Sequence, residues 1–270
     1  MQGDFNYQER RSIVGGPIRQ KLRKGIFILP SFITTLSFFS GFYALIASFN
    51  EQYRYAAYAI ILAGVFDFLD GKVARLTNTT SHFGMEYDSL SDLMSFGIAP
   101  GFLVYSWALQ PFGRLGWMAA FLYVICGALR LARFNTLAHS GKAMDSFVGL
   151  PIPAAAAVIA SLVIVTKDLL LLESINPFIL VGTVYVLAFL MVSNVRYVSF
   201  KQFDLKRRKA FGFLVFMVLA IYILAVIPEL MVIILAIGYA LSGPAVWAWN
   251  LARGKKPVPE SPDALHHPRP

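Results

Sequence analysis

Four aspartates stand close together between positions 67 and 92 of a chain that is otherwise strongly apolar. They form two pairs, Asp67 with Asp70 and Asp88 with Asp92. Residues spaced by three or four share one face of an α-helix, so two adjacent helices could point all four carboxylates at one another. Ionised carboxylates in a poorly hydrated place repel one another unless cations neutralise them. Because dense oxygen ligands favour hard divalent ions, the sequence predicts two Mg²⁺ or Mn²⁺ ions here, a clamp suited to phosphoryl chemistry.

Small and basic residues beside the aspartates are suited to binding phosphate. Gly71, Gly84 and Ala74 leave room for a ligand to approach, and Arg75 could hold a phosphate through two hydrogen bonds. The alternative is a salt-bridge network in which Lys72 and Arg75 neutralise the aspartates. Two basic side chains cannot balance four anions, so the metal site is the preferred interpretation.

The elements that must position these residues have the composition of a membrane protein. Of the 270 residues, 57% are hydrophobic and only 14% are charged, whereas soluble domains carry about 25% charged residues. A membrane-spanning helix needs about 20 mostly apolar residues. The sequence therefore predicts an all-α integral membrane protein with eight transmembrane helices, at roughly 31–49, 54–73, 84–109, 115–134, 151–168, 175–195, 210–227 and 229–250.

The distribution of lysine and arginine supports this count of spans. All but three of the 24 basic residues fall in alternate loops and at the two ends; the exceptions are Arg54, Arg114 and Lys167. Cytoplasmic loops of membrane proteins are enriched in these residues. We therefore expect both termini and the aspartates to lie on the cytoplasmic side of the cell membrane. The net charge of +9 then reflects topology, and we expect no nucleic-acid partner.

The aspartates and their neighbours resemble the signature of the CDP-alcohol phosphotransferase family. The order DxxDGxxAR, followed after eight residues by GxxxDxxxD, matches every signature position between Asp67 and Asp92. The resemblance implies a membrane enzyme with a shared core of six helices, and a homodimer. It also implies that two divalent ions are held by Asp67, Asp70, Asp88 and Asp92, and that Asp92 is the general base.

The same resemblance implies a binding site for a CDP-linked lipid around the aspartates. Small and basic residues would surround the nucleotide: Gly71, Ala74, Arg75 and Gly84. Ser81 falls where the family often has a hydroxyl that contacts the diphosphate. The family often reads PNxxT before the first span, and this chain reads PSFIT at 30–34. Ser31, in place of asparagine, and Thr34 are therefore the expected N-terminal contacts to the nucleotide.

Four further stretches are similar to bacterial and archaeal members of the family whose acceptor is serine. They are SLSDLMSFGIAP at 89–100, CGALRLARFN at 126–135, SFVGLPIPAAA at 146–156 and MVSNVRYVSFK at 191–201. The implied reaction transfers the phosphatidyl group from CDP-diacylglycerol to the hydroxyl of L-serine by direct displacement. Its products are phosphatidylserine and CMP.

These stretches contain the candidates for binding serine: Ser95, Arg130, Arg133 and Asn135. Arg130 and Arg133 are three residues apart on one predicted helix face, and an arginine pair is a good receptor for a carboxylate. The same pair could instead be an ordinary basic flank of a span. Asn135 could bind the amino group of serine, or it could cap the helix.

Composition and the resemblance together divide the chain into four parts. Residues 1–29 form a basic cytoplasmic segment, in which 17–29 has the pattern of an interfacial helix on an anionic membrane surface, or of a plain basic flank. Residues 30–205 form the six-helix catalytic core, and 206–252 an additional two-helix hairpin. The proline-rich tail, 253–270, is expected to be disordered.

Two other functions remain open at this point. One is the same transfer to another acceptor, glycerol 3-phosphate or inositol phosphate. The other is a transporter whose carboxylates bind cations or relay protons.

The single cysteine, Cys126, excludes an internal disulfide and a cysteine-based metal cluster.

Overall fold

The computed structural model describes residues 17–77, 81–139, 147–170, 172, 176–197 and 228–253. Nearly all of these residues are helical, as the sequence predicts. The α-helices are α1 (Pro17–Phe49), α2 (Tyr53–Leu76), α3 (His82–Asp92), α4 (Ala99–Val104), α5 (Arg114–His139), α6 (Ile152–Ile164), α7 (Pro177–Val192) and α8 (Pro228–Ala252).

Wider π-helical turns continue three of these helices. They are Leu93–Ile98, Tyr105–Leu109 and Val165–Leu169. The first two π turns join α3 and α4 into one continuous helical rod, which ends in a 3₁₀ turn at Gln110–Phe112. This rod corresponds to the third predicted span. The first π turn begins directly after Asp92. Such turns occur frequently at functional sites.

Two of the described helices are candidate membrane spans by length and composition. Leu29–Phe49 within α1 and Arg114–Leu137 within α5 are long and apolar enough to cross a membrane. Two shorter segments are also apolar, Phe178–Val192 and Ile233–Val246. The seventh predicted span, 210–227, lies outside the described residues, as does the tail after position 253. The chain is thus helical and membrane-associated, and the count of eight spans stays a prediction.

The basic stretch 17–29 is the beginning of α1 rather than a separate helix. α1 runs for 33 residues and contains Pro30. The Thr34 hydroxyl donates a hydrogen bond of 3.0 Å to the Pro30 carbonyl. The N-terminal interfacial helix expected from the sequence is therefore continuous with the first predicted span.

Small residues allow α1 to approach α2 and the α3–α4 rod closely. The Ser37 hydroxyl of α1 donates to the Ala63 carbonyl of α2 at 3.0 Å, and the Ser95 hydroxyl of the rod donates to the Ser37 carbonyl at 3.0 Å. A Cβ atom at Gly41 would lie 2.5 Å from the Ser95 Oγ. Small residues and hydroxyl groups of this kind are typical of helix contacts in membranes. Buried alanines complete the contact: Ala44, Ala47, Ala56, Ala57 and Ala59.

A two-residue antiparallel pair departs from the all-helical expectation. β1 (Phe147–Val148) pairs with β2 (Arg196–Tyr197), with Phe147 opposite Tyr197. Gly149 follows with a φ of 78°, a left-handed conformation that favours glycine. Its N–H donates to the Val195 carbonyl at 2.9 Å. The pair therefore fixes the start of α6 against the end of α7.

Paired charges hold α2 to the turn after α6, away from the four aspartates. The Arg54 Nε atom lies 2.9 Å from the Asp168 Oδ1 atom. The Tyr58 hydroxyl donates to the other oxygen, Asp168 Oδ2, at 2.6 Å. Both oxygens of the Asp168 carboxylate therefore have partners.

Candidate active site

The end of α2 and the start of α3 bring three of the aspartates together. One carboxylate oxygen from each of Asp67, Asp70 and Asp88 lies within 4.8 Å of the others. Asp70 is buried, with 4% of its surface exposed, and the other two are half-buried. The helical spacing explains the arrangement, since Asp67 and Asp70 share one face of α2.

Asp92 lies one turn beyond Asp88 at the end of α3. Its carboxyl is within hydrogen-bonding reach of the Asp67 carboxyl and interacts electrostatically with Asp88 and Asp70. The four acidic side chains therefore form one cluster, and Asp92 is the member next to the first π turn.

The cluster fits a divalent cation. The Asp70 Oδ2 atom is buried and has no hydrogen-bond partner within the described part of the chain. A buried carboxylate oxygen without a partner is strongly unfavourable. A cation that binds this oxygen removes that penalty, and an all-oxygen ligand set suits Mg²⁺ or Mn²⁺.

The neighbouring basic side chains make other contacts. The Lys72 ammonium lies over the Phe68 ring, 4.3 Å from its centroid. The Arg75 Nε atom donates to the Gly71 carbonyl at 2.9 Å. Among the described residues, neither side chain forms an ion pair with the aspartates, so the salt-bridge network considered from the sequence is not observed.

Several of the residues expected around the nucleotide lie on the same two helices as the aspartates. Gly71, Ala74 and Arg75 follow Asp70 on α2, and Arg75 is exposed. A Cβ atom at Gly71 would meet only the Arg75 Nη2 atom, at 3.6 Å, so this face of α2 is open to a ligand.

Ser81 and Gly84 form the N-terminus of α3. The Ser81 hydroxyl accepts a hydrogen bond of 3.0 Å from the Gly84 N–H and so caps the helix. A capping serine can still donate its own hydroxyl proton to a ligand. The N-terminus of a helix also favours a bound phosphate.

The two expected contacts from α1 lie near its start. Thr34 is buried beside Asp70, and its hydroxyl donates to Pro30. Ser31 is half-buried, and its carbonyl accepts from the Thr35 hydroxyl at 2.7 Å. Thr35 also bonds the Tyr87 hydroxyl at 3.0 Å, which ties α1 to α3 beside the aspartates.

Three of the four candidates for binding serine belong to α5. Arg130 interacts electrostatically with Asp92, and its Nε atom is buried without a hydrogen-bond partner in the described chain. The Arg133 Nη1 atom donates to the Asn194 Oδ1 atom at 3.0 Å. The Asn135 Nδ2 atom donates to the Ser89 Oγ atom at 2.9 Å, which links α5 to the residue that follows Asp88.

Ser95, the fourth candidate, is a packing residue. It is completely buried, and its hydroxyl donates to the Ser37 carbonyl. Because it presents no surface to a ligand, we do not include it in the proposed acceptor site.

An open groove lies beside the two arginines. Its volume, open to the surroundings, is about 420 Å³. Apolar side chains make up the rest of its lining: Leu129, Phe134, Leu137, Val148, Met191 and Val192. Charged and apolar side chains therefore line the same groove.

Sequence reasoning missed two side chains that contact the candidate residues. Asn194, which binds Arg133, is part of the stretch MVSNVRYVSFK, but its polar side chain drew no separate prediction. Tyr239 of α8 interacts electrostatically with Arg130. No local pattern could indicate this, because 109 positions of sequence separate the two residues.

The fold and the acidic cluster define a helical, membrane-associated protein with a candidate site for divalent cations and phosphate. The sequence model of the CDP-alcohol phosphatidyltransferase family matches residues 27–190. The chain belongs to this family.

The chain is also similar to individual curated proteins. The chain is 40% identical over 177 residues to a CDP-diacylglycerol–serine O-phosphatidyltransferase of Helicobacter pylori, covering 66% of this chain and 74% of the relative. It is 36% identical over 175 residues to the protein of the same name from Bacillus subtilis, covering 64% and 92%. An archaetidylserine synthase of Methanothermobacter thermautotrophicus is 43% identical over 135 residues, covering 49% and 56%.

Proposed function

We propose that this protein transfers the phosphatidyl group of CDP-diacylglycerol to the hydroxyl of L-serine, giving phosphatidylserine and CMP. The observation that carries the proposal is the acidic cluster next to Arg130, in which a buried Asp70 oxygen has no partner in the described chain. The cluster suits the diphosphate half of the reaction, and the arginine suits a carboxylate-bearing acceptor. The names of the bacterial relatives support the same donor and acceptor.

Two divalent cations, Mg²⁺ or Mn²⁺, would be held by four carboxylates, those of Asp67, Asp70, Asp88 and Asp92. When bound, such ions neutralise the diphosphate and favour its displacement. Around them, the start of α3 would support the diphosphate through its N-terminus and the Ser81 hydroxyl. Arg75 would bind a phosphate oxygen from the exposed side of α2. Thr34 and Ser31 would contact the nucleotide from α1.

Asp92 is the general base in this proposal. Its carboxylate takes the proton from the serine hydroxyl, and the resulting oxygen attacks the phosphorus that carries diacylglycerol. A new P–O bond to serine forms while the bond to CMP breaks, and CMP leaves with the electron pair of that bond. Arg130 holds the serine carboxylate close to Asp92, while Arg133 and Asn135 border this pocket.

The distribution of basic residues supports a location for the reaction. We place the aspartates at the cytoplasmic side of the cell membrane, with the acyl chains of the donor in the bilayer. The apolar groove beside Arg130 and Arg133 offers one path for an acyl chain. The proposal divides the chain into a catalytic core of residues 30–205 and an additional hairpin of 206–252. It also includes assembly as a homodimer.

The experiment is CMP release from CDP-diacylglycerol by the purified protein with Mg²⁺ or Mn²⁺. L-serine, glycerol 3-phosphate and inositol phosphate are compared as acceptors. We expect release that depends on serine alone. Release with another alcohol would keep the acidic site and overturn the acceptor. No release with any acceptor would contradict the proposal and favour a transporter.

A further inference from the structure

The first π turn interrupts the α3–α4 rod directly after Asp92, at Leu93–Ile98. At its end the Ala99 N–H donates to the Met94 carbonyl, five residues back, whereas an α-helix would use the carbonyl four residues back. A wider turn holds an extra residue, so it changes the direction in which the residues on either side of it point. Asp92 is the member of the acidic cluster that this turn affects directly.

Pro100 gives a physical reason for the wide turn. In an α-helix the Phe96 carbonyl would accept a hydrogen bond from the N–H of residue 100, and proline has no N–H. Tyr123 of α5 supplies a donor instead, since its hydroxyl donates to the Phe96 carbonyl at 3.0 Å. The Tyr123 side chain is completely buried. Because a buried carbonyl without a donor is costly, this hydroxyl stabilises the π turn.

A glycine lets α5 come close enough for this contact. A Cβ atom at Gly101 would lie 2.8 Å from the Val124 Cγ2 atom and 3.6 Å from the Tyr123 Cδ1 atom. Any other residue at this position would push α5 away from the rod. Gly101 and Tyr123 therefore act together to bring the hydroxyl to the Phe96 carbonyl.

Hydrogen bonds to α1 hold the same stretch of the rod. The Ser91 hydroxyl donates to the Thr34 carbonyl at 3.2 Å, and the Ser95 hydroxyl donates to the Ser37 carbonyl at 3.0 Å. Asp92 lies between these two serines in sequence. Its backbone is thus fixed on both sides, and the shape of the turn that follows it determines where its carboxyl points.

We propose that Tyr123 is a positioning residue, whose hydrogen bond to the Phe96 carbonyl maintains the π turn that directs the Asp92 carboxyl toward the acceptor hydroxyl. The inference rests on the proposed function, in which Asp92 is the general base. A general base must lie within hydrogen-bonding reach of the proton that it takes. A misplacement of about 1 Å can lower a rate by about 10²-fold. The effect of Tyr123 should therefore appear in kcat, while the binding of both substrates should change little.

The experiment compares Tyr123→Phe with Tyr53→Phe in the CMP-release assay, together with the Tm of each purified variant. Tyr53→Phe is the matched control because the Tyr53 hydroxyl donates to the Ser106 carbonyl at 3.0 Å, within the second π turn of the same rod. Each variant loses one hydroxyl that binds a carbonyl of a π turn. Only the turn at Tyr123 adjoins Asp92.

Both variants should lower the Tm, and only Tyr123→Phe should lower kcat, by about tenfold. The KM values for serine and for CDP-diacylglycerol should stay within about twofold of wild type in both variants. An unchanged kcat in Tyr123→Phe would overturn the proposal. An equal fall of kcat in Tyr53→Phe would also overturn it, because the effect would then follow the loss of stability.

Pro100→Ala separates positioning from stability. Alanine supplies an N–H at position 100, so the Phe96 carbonyl no longer needs the Tyr123 hydroxyl and the turn can narrow to an α turn. Adding Pro100→Ala to Tyr123→Phe should therefore restore most of the Tm and leave kcat low. Recovery of kcat together with the Tm would show a merely structural role and overturn the proposal. A Tm that Pro100→Ala does not restore would contradict the role of Pro100 in the turn and overturn it as well.

The proposed function can fail separately from this inference. If wild type releases CMP only with glycerol 3-phosphate or inositol phosphate, the transfer to serine is wrong. The same three variants, assayed with the acceptor that wild type uses, then decide whether Tyr123 positions Asp92. A fall of kcat confined to the two variants that carry Tyr123→Phe supports the inference, and equal kcat values in all three overturn it.

Discussion

Two aspartates on the two sides of this helix bundle have opposite surroundings. Asp168, whose side chain is 12% exposed, has a partner for each oxygen, in Arg54 at 2.9 Å and Tyr58 at 2.6 Å. Asp70, 4% exposed, keeps one oxygen without a partner within the described chain and has other carboxylates within 4.8 Å. The residue type is the same, but among the described residues only Asp168 has a basic partner.

The difference separates a stabilising site from a functional one. A buried charge with its own partners contributes to a specific fold. A buried cluster of like charges lowers stability and persists where a ligand compensates it. Variants around Asp70 should therefore change turnover. Variants around Asp168 should change the free energy of unfolding.

Asp92→Asn should have the largest effect on turnover. Asparagine keeps the shape of the side chain but cannot take a proton from the acceptor hydroxyl. We expect kcat to fall by about 10³-fold, as is common when a general base is lost. CMP release under saturating serine and CDP-diacylglycerol measures this.

Binding of CDP-diacylglycerol to Asp92→Asn is the control and should be largely retained, since the other three aspartates are intact. Appreciable residual turnover would remove Asp92 as the base. Loss of both turnover and donor binding would instead make Asp92 chiefly a ligand of the cations.

The sequence predicted the acidic site well because its geometry is local. Asp67 and Asp70 share a face by helical spacing, and so do Asp88 and Asp92, while a short connection brings the two helices together. The pairing of Asp168 with Arg54 could not be predicted in this way, since the two residues belong to different helices far apart in sequence.

Packing between helices also limited the prediction. Ser95 was a candidate because it lies in the stretch 89–100, but a close approach of α1 at Gly41 buries it. Tyr239 and Arg130, which interact electrostatically, belong to helices far apart in sequence. The helical pattern gives the faces of each helix, and it does not give the order in which the helices surround one another.

Removal of divalent metal should have an intermediate effect, and on stability as well as turnover. Because the cation would bind the folded cluster, Mg²⁺ or Mn²⁺ at about 100 times its Kd should stabilise the protein by about 2.7 kcal/mol. Chelation should therefore lower the Tm of the purified protein and reduce CMP release. Differential scanning fluorimetry with and without chelator measures the shift.

Asp70→Asn is the matched variant for this measurement. It removes the buried charge, so its Tm should no longer depend on metal, and in chelator it should equal or exceed that of wild type. A metal-dependent shift that persists unchanged in Asp70→Asn would place the cation elsewhere.

Asp168→Asn should have the smallest effect and should act on stability alone. The substitution weakens the contact with Arg54 and keeps an acceptor for Tyr58. Arg54 is 59% exposed, so we expect a loss of only about 1–2 kcal/mol in the free energy of unfolding. The kcat and both KM values should be unchanged, because Arg54 lies near the start of α2 and the aspartates of the cluster lie near its end. The double variant Asp168→Asn with Arg54→Gln should lose less free energy of unfolding than the sum of the two single losses, since neither charge is then left without a partner.

A fall in turnover at unchanged Tm would mean that the two sides are coupled. The separation of a stabilising from a functional carboxylate would then be wrong.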